Sequence, residues 1–327
     1  SPDGKTMKVG DYVNYDPTLE ANTSDLTYTS TADKTGADSN QEFNVATYKS
    51  AGYGWRVLGV KNGKIRLISE EFIGPGTYTD SSRTYYALTG QKGYINGIEE
   101  LNKISAIFGH GKGAEKATSI TAEDINEITG YDPATAKCEE GNFNEYGNKV
   151  TYTKEGETKL SSSATNGQKW SGTQNTLNYY DKSNKTFKTL TSGSTQITST
   201  FYYYNPTTLN TKQEKPTQGV DENGVYNTIY QILFGKYAVN KDSYEISFVG
   251  TGTQPRYWLA SESALTVKNG VTWGLRRVND GKVLNRGIFF STGTEYSYDD
   301  FGVRPIVYLK SDISLEWNNT LQKWKIK

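Results

Sequence analysis

The chain has 327 residues, enough for two average domains or for one domain with a large insertion. Only 34% of them are hydrophobic and the mean hydropathy is −0.70, too little apolar material for two large cores. Thirty-six basic residues balance 36 acidic ones without a long run of either sign, which argues against a nucleic-acid partner, and no apolar run reaches the length of a membrane span.

Tyrosine, at 25 residues against 11 Phe and 6 Trp, buries a ring while keeping a polar tip wet, and with abundant Thr, Ser, Asn and Gly it gives the composition of an extracellular β-rich protein. The start at Ser1-Pro2-Asp3-Gly4 is compatible with removal of an export or anchor segment, through which alone a membrane would be reached. A single cysteine, Cys138, excludes an intramolecular disulfide.

Alternation over Lys8–Tyr15 predicts a strand ended by Pro17, and residues 18–50 read as a long Thr/Ser/Asp-rich loop. Trp55–Ser69 is a hairpin: Asn62-Gly63 supplies the positive-φ pair of a type I′ turn, and counting outward sets Val60 opposite Ile65 and Leu58 opposite Leu67. Val57 and Ile68 then fall on the other face, so both faces are apolar and the hairpin belongs inside the domain. A helix is predicted from about Tyr94 to Phe108, striped by Ile95, Ile98, Leu101 and Ile104 and closed by Gly109. Gly109-His110-Gly111-Lys112-Gly113 lacks phosphate-loop spacing and reads as a mobile loop. A second helix starts at a Thr121 cap with Asp124 three residues on and stops at Gly130.

Residues 131–220 read as a polar β-rich insertion with hairpins, between flanks 1–130 and 221–327 that form one domain. A third helix is expected over Asp221–Phe234. Tyr257–Ser261 is a short strand, and Trp273–Phe290 a hairpin turning at Asn279-Asp280-Gly281 with a loop of two or three residues. Gly302–Lys310 is the last long strand, with Pro305 at an edge or where no ladder bond is needed, and Ile313–Ile326 a hairpin turning at Asn318-Asn319.

This order, with YWLAS, WGLRRVNDG and FGVRPIVYL, resembles the C-type-lectin-like fold in its disulfide-free bacterial branch, which includes formylglycine-generating-enzyme-like domains and the variable proteins of diversity-generating retroelements. KVGDYVNY, WRVL, SITAEDI, YWLAS and FGVRPIVYLK also resemble a family of exported proteins of Gram-positive gut bacteria, many with prepilin-like or other membrane-anchoring N-termini. The resemblance covers residues 8–130 and 221–310. It implies an α+β fold of mixed antiparallel sheets with two to three helices, closed by the late strands against Lys8–Tyr15, and a scaffold that presents a variable surface more than a chemistry. Ligand contacts would come from the Glu262–Trp273 connection, the Asn279 turn and the Ser291–Asp300 loop. Trp258, Trp273, Gly302 and Arg304 would be structural.

The candidate ligand-binding residues are Glu295, Tyr296, Tyr298, Asp299 and Asp300, with Arg277 and Glu262. Tyrosine rings can stack on sugars or protein surfaces, and adjacent carboxylates can hold Ca²⁺, although an ordinary polar loop has the same composition. Arg276, Arg277, Arg286 and Arg304 could grip an anion, but such arginines more often bridge acids of their own sheet. Catalysis is short of material: His110 is the only histidine. The formylglycine-generating enzyme uses cysteines as copper ligands, and Cys138 lies outside the matching stretch. Glu70-Glu71, Glu99-Glu100 and Asp299-Asp300 are the adjacent acids a glycosidase could draw on. The expectation is a non-enzymatic, extracellular or cell-surface protein that binds a glycan or a host or bacterial surface protein and needs no cofactor. The alternative is a pilin-like structural subunit, and a carbohydrate-active enzyme ranks last.

Overall fold

A computed structural model describes residues 5–30, 41–76, 85–130, 150–154, 157–160, 169–174, 176–181, 185–191, 197–202, 219–240, 245–267, 270–290, 293–298 and 301–327. In chain order, β1 (Tyr12–Asn14), β2 (Thr27–Ser30) and β3 (Gln41–Asn44) precede α1 (Val45–Ser50), then β4 (Trp55–Lys61), β5 (Lys64–Ser69) and β6 (Leu88–Thr89). Next come α2 (Gly90–Ala106), β7 (Ala114–Ser119) and α3 (Ala122–Thr129). The 131–220 stretch contributes β8 (Val150–Lys154), β9 (Glu157–Leu160), β10 (Lys169–Gln174), β11 (Thr176–Asp181), β12 (Thr186–Thr191) and β13 (Ile197–Tyr202). After it follow α4 (Thr228–Phe234), β14 (Tyr237–Val239), β15 (Ile246–Phe248), β16 (Tyr257–Val267), β17 (Gly270–Asn279) and β18 (Lys282–Phe290). The chain closes with β19 (Ser297–Tyr298), β20 (Pro305–Leu309), β21 (Leu315–Asn318) and β22 (Lys323–Ile326).

The fold is mixed α+β, built on a seven-stranded mixed sheet of order β21-β22-β1-β4-β5-β20-β7 with several smaller sheets around it. Its central strands are apolar on both faces, so they need cover on both sides. Within β20, Val307 joins one buried cluster with Trp55, Val57, Leu67 and the α2 residues Leu101 and Ile104. The neighbouring Ile306 joins a second cluster with Leu58, Ile68, Ile125 of α3 and Leu233 of α4. The three-stranded sheet β16-β17-β18 feeds both, Trp258 into the first and Tyr257 and Leu259 into the second.

Several elements follow their sequence signals. Asn62 and Gly63 have φ of 51° and 75°, as the turn requires. Thr121 accepts from the Asp124 N–H while Asp124 caps Thr121 in return, and Gly130 ends α3 at φ 71°. The late hairpin has a two-residue loop, since Asn279 pairs with Lys282 and Asp280-Gly281 take positive φ.

Other expectations need correction. A bulge at Gly59 (φ 145°) shifts the first hairpin, so Val57 and not Leu58 lies opposite Leu67. Residues 18–50 are not one loop: they hold a 3₁₀ turn, the β2–β3 hairpin and α1, with Phe43, Val45 and Tyr48 buried. α2 starts at Gly90, one turn before Tyr94.

The third expected helix shrinks to Thr228–Phe234. The Asp221 carboxylate accepts from the N–H groups of Asn223 and Val225, folding that segment into a turn, and Asn227 caps what remains. The Gly109–Gly113 segment is packed, with Tyr15 Oη donating to the Phe108 carbonyl at 2.6 Å and accepting from Gly111 N at 3.0 Å.

The strand from FGVRPIVYLK does not close against Lys8–Tyr15. β20 is internal, between β5 and β7, with Pro305 as its first residue, where a missing donor is tolerated. The element returning beside β1 is β22, which pairs in parallel, Val13 beside Trp324. In the terminal hairpin Asn318 pairs with Lys323, so its loop is 319–322, longer than an Asn318-Asn319 turn. Its Trp317 and Trp324 rings meet edge to face at 5.5 Å.

In the 131–220 stretch, β10-β13-β8-β9 form one sheet and β11-β12 a hairpin. That hairpin reaches the core: the Phe187 ring lies 4.5 Å from Phe289, 5.4 Å from Trp273 and 5.7 Å from Tyr94, centre to centre. Truncation by Phe187→Ala should therefore cost roughly 1–3 kcal/mol. Thermal unfolding would read this as a lower Tm, and an unchanged midpoint would show that the hairpin contributes nothing to the core.

Candidate functional site

The backbone of the late loop, which carries most of the candidate ligand-binding residues, is firmly held. Phe290 N donates to Thr294 O at 2.8 Å, Tyr296 N to Ile288 O at 2.9 Å, and Gly90 N to Tyr296 O at 3.2 Å. β19 then pairs with β6, Ser297 opposite Thr89 and Tyr298 opposite Leu88. The loop thus rests on the N-terminus of the 17-residue helix α2.

That helix explains Glu295. Its N-cap residue, Thr89, makes no side-chain capping bond, and its first turn carries no acid. The Glu295 carboxylate fills this place from 204 residues away, accepting from Gln91 N at 3.4 Å. A Cβ on Gly90 would sit 2.5–2.7 Å from its carboxylate atoms, so only glycine, here at φ +54°, lets the acid approach. Glu295 is therefore placed to meet the helix dipole and its unsatisfied N–H groups. Next to it, Tyr296 is 40% exposed and is the only exposed aromatic among the residues whose side chains are described. Asp299 and Asp300 lie outside the described residues, as does Cys138, and of Tyr298 only the backbone is described.

The remaining candidates do not gather around this loop. The Arg277 guanidinium lies 4.8 Å from the centre of the Phe301 ring, with Arg286 at 5.8 Å from the same ring, and Arg276 is buried. Glu262 does not sit in a loop: β16 runs on past it to Val267, and Glu262 pairs with Leu275 across a bulge. It lines a cavity of about 600 Å³ with Ile95, Ile98, Glu99, Lys103 and Lys185; of the other candidates, Glu99 is there and the described late-loop residues and Arg277 are not. The Asn279 turn is occupied too, since the Gly281 carbonyl accepts from Tyr226 Oη at 2.7 Å.

Trp258 and Trp273 are wholly buried, and Trp258 Nε1 donates to the Tyr86 carbonyl at 3.0 Å. A Cβ on Gly302 would lie 2.2 Å from the Phe72 ring. The Arg304 guanidinium donates to the carbonyls of Ser69, Leu233 and Glu70 at 3.1–3.2 Å and bridges no acid among the described residues.

The adjacent acids have partners as well. Glu100 is buried and accepts from Tyr28 Oη at 3.0 Å and Ser30 Oγ at 2.7 Å, while Glu99 pairs with Lys103 at 2.8 Å. Burial first, and the Glu100 bond second, push the Tyr28 hydroxyl up to about 12. No group of three or more His, Cys, Asp or Glu residues able to hold a metal occurs among the described residues.

A concavity not anticipated from the sequence lies on the α4 side of the sheet. It holds about 310 Å³ and is walled by the ends of β4 and β5, by α4 and by the 248–255 segment. Arg56 Nη2 reaches Glu70 Oε1 at 3.3 Å, and the Tyr12 hydroxyl accepts from Arg56 and donates to Glu70. Burial works to raise the Glu70 carboxyl, but the bonds from Tyr12 and Gly54 N and the Arg56 charge outweigh it and hold it below its usual 4.5. Burial first and the Glu70 bond second raise Tyr12, keeping it a proton donor. The sequence carried a coarse signal here, because the Asn62-Gly63 hairpin brings the start of β4 beside the end of β5, where Arg56 pairs with Ile68, two residues from Glu70.

With this geometry in hand, comparison with known proteins adds no assignment: no family model, no curated protein and no solved structure matches the chain.

Two measurements check the placements. Glu295→Gln should cost about 0.3–1 kcal/mol at low salt and less at high salt, as expected for a charge on a helix end. A cost that does not change with salt would rule out the dipole role. A folded-state carboxyl below 4.5 makes Glu70 stabilising above that pH, and this contribution is lost as pH falls through the lower folded value. The Tm gap between the parent chain and Glu70→Gln should therefore be widest near about pH 7 and close towards about pH 3. A gap of constant width would overturn it.

Proposed function

We propose that this chain is an exported or cell-surface binding protein of C-type-lectin-like fold, which holds a glycan or a protein ligand on its late loop without transforming it. The observation that carries the reading is Tyr296, an exposed ring on a backbone pinned by hydrogen bonds on both sides. A Tyr on a fixed backbone, with only two side-chain torsions to order, gives contact area at little entropic cost, which suits sugar faces and protein surfaces alike. The lectin-like assignment is supported by the order of elements over residues 8–130 and 221–310 and by a late three-stranded sheet set apart from the main one. Location outside the cell rests on composition and on the resemblance in the KVGDYVNY, YWLAS and FGVRPIVYLK segments. Among the described residues, no helix is long and apolar enough to cross a membrane.

The test is the full chain on a glycan array and on an array of extracellular-matrix proteins, with and without EDTA. Binding to at least one surface is expected, and Tyr296→Ala should weaken it at least about tenfold, the loss of a small hot spot. No binding on either array, or hydrolysis of an arrayed polysaccharide, would overturn the reading.

A further inference from the structure

The cleft on the α4 side is separate from the late loop. Its wall residues Phe72, Ile232, Tyr257 and Phe248 belong to or pack on the second apolar cluster, whereas Phe289 and Ile288, which lead into the late loop, belong to the first. At about 310 Å³ it lies at the lower end of the roughly 300–1,000 Å³ typical of small-molecule sites.

Its charges decide what it can take. Arg56, Lys236 and Arg304 stand against Glu70 and Glu71 in the lining. Arg56 spends its guanidinium on Glu70, the Tyr12 hydroxyl and the Gly10 carbonyl. Arg304 is 3% exposed and spends its own on three carbonyls and Tyr257 Oη. Neither fork is free for the bidentate grip an anion wants. Lys236 alone is exposed, as a point charge at the rim.

What does face the opening is neutral and both donates and accepts. Thr228, Gln231 and Thr251 are exposed, although the Gln231 amide also donates to the Tyr226 carbonyl at 2.5 Å, Thr253 is half-buried, and the half-buried Phe248 ring supplies an aromatic wall. Phe248 is held edge to face by Tyr237 at 5.2 Å. Two glycines let the wall segments come this close. A Cβ on Gly250 would lie 2.7 Å from the Phe248 ring, and one on Gly235, at φ +89°, 2.8 Å from Pro255.

Hydroxyl and amide groups around one ring, over a floor whose charges cancel, suit a ligand rich in hydroxyls and without net charge. The geometry points to a second binding site, in the cleft between Arg56, Gln231, Phe248 and Thr251, for a neutral hydroxyl-rich molecule the size of a mono- or disaccharide. The site acts independently of Tyr296.

Saturation-transfer NMR on the full chain tests this, with glucose, galactose, N-acetylglucosamine, maltose and lactose as neutral probes and citrate and glucose 6-phosphate as anionic ones. At least one neutral sugar should give a signal. Thr251→Trp, which blocks the exposed rim without touching the core, should weaken it at least about tenfold. Thr253→Trp serves if the first variant does not fold. Tyr296→Ala and Lys236→Ala should change it less than about twofold.

Silence from every neutral sugar, or a signal that survives both tryptophan variants, would overturn the inference. So would an anionic probe that displaces the sugars and itself depends on Lys236. Array binding that is lost in Tyr296→Ala, together with silence from every neutral sugar in the NMR experiment, would leave the late-loop reading standing while the cleft fails.

Discussion

The guanidinium of Arg304 sets the geometry on which the rest depends. A buried charge costs several kcal/mol unless its hydrogens find acceptors, and Arg304 finds them in three places. It takes the carbonyls of Ser69 and Glu70, where β5 ends, and of Leu233, in the last turn of α4, where helix carbonyls lack partners. Tyr257 completes the arrangement: its ring centre lies 5.1 Å from the guanidinium, and its hydroxyl donates to the Leu233 carbonyl at 2.6 Å. Segments that lie far apart in the chain are thereby fixed at one point, at the head of β20. Apolar replacement of Arg304 would leave those carbonyls buried and unpaired, so the loss would reach all the attached elements together.

From that point the two-faced centre of the sheet follows. β20 places successive residues, Ile306 and Val307, in different apolar clusters, and β5 does the same with Ile68 and Leu67. Such strands are stable only when both faces are covered, so α2 takes one side and α3 with α4 the other, while the three-stranded sheet β16-β17-β18 contributes to both. Burial of Arg66 belongs to the same logic. It lies 2% exposed, with Nη1 3.1 Å from Asp124 and Nη2 3.1 Å from Glu127, and ties the first hairpin to α3.

Local chemistry was legible in the sequence where it acts alone. The Asn62-Gly63 and Asp280-Gly281 turns, the Thr121–Asp124 capping box and the stripe of α2 each depend on a few neighbouring residues. The bulge at Gly59 was not legible, because a glycine in a strand is compatible with regular pairing as well. β7 was missed because its Glu115 and Lys116 break the apolar alternation; it is an edge strand, and its inner partner is β20. The extension of β16 past Ser261 was hidden by Glu262, a charged residue in a run that looked finished. The helix over Asp221–Asn227 failed because Asp221 satisfies backbone N–H groups in a turn, an option its side chain always has.

The candidate site shows the same division more sharply. Glu295 attracted attention as an acid in a loop, yet its partner is a helix end 204 residues earlier in the chain, and no local pattern encodes that contact. Once the glutamate is spent on α2, what the loop still offers outward among the residues whose side chains are described is the Tyr296 ring, carried on an anchored backbone. The α4-side cleft inverts the case. Its residues run from Arg56 to Arg304, each unremarkable where it stands, and Arg56 and Arg304 come to stand against Glu70 and Glu71 only when the fold brings them together. A reading that scores loops by composition favours visible acids, but in this protein the visible acids serve the frame. The polar groups left over, which face solvent beside an aromatic wall, are those able to exchange water for a ligand.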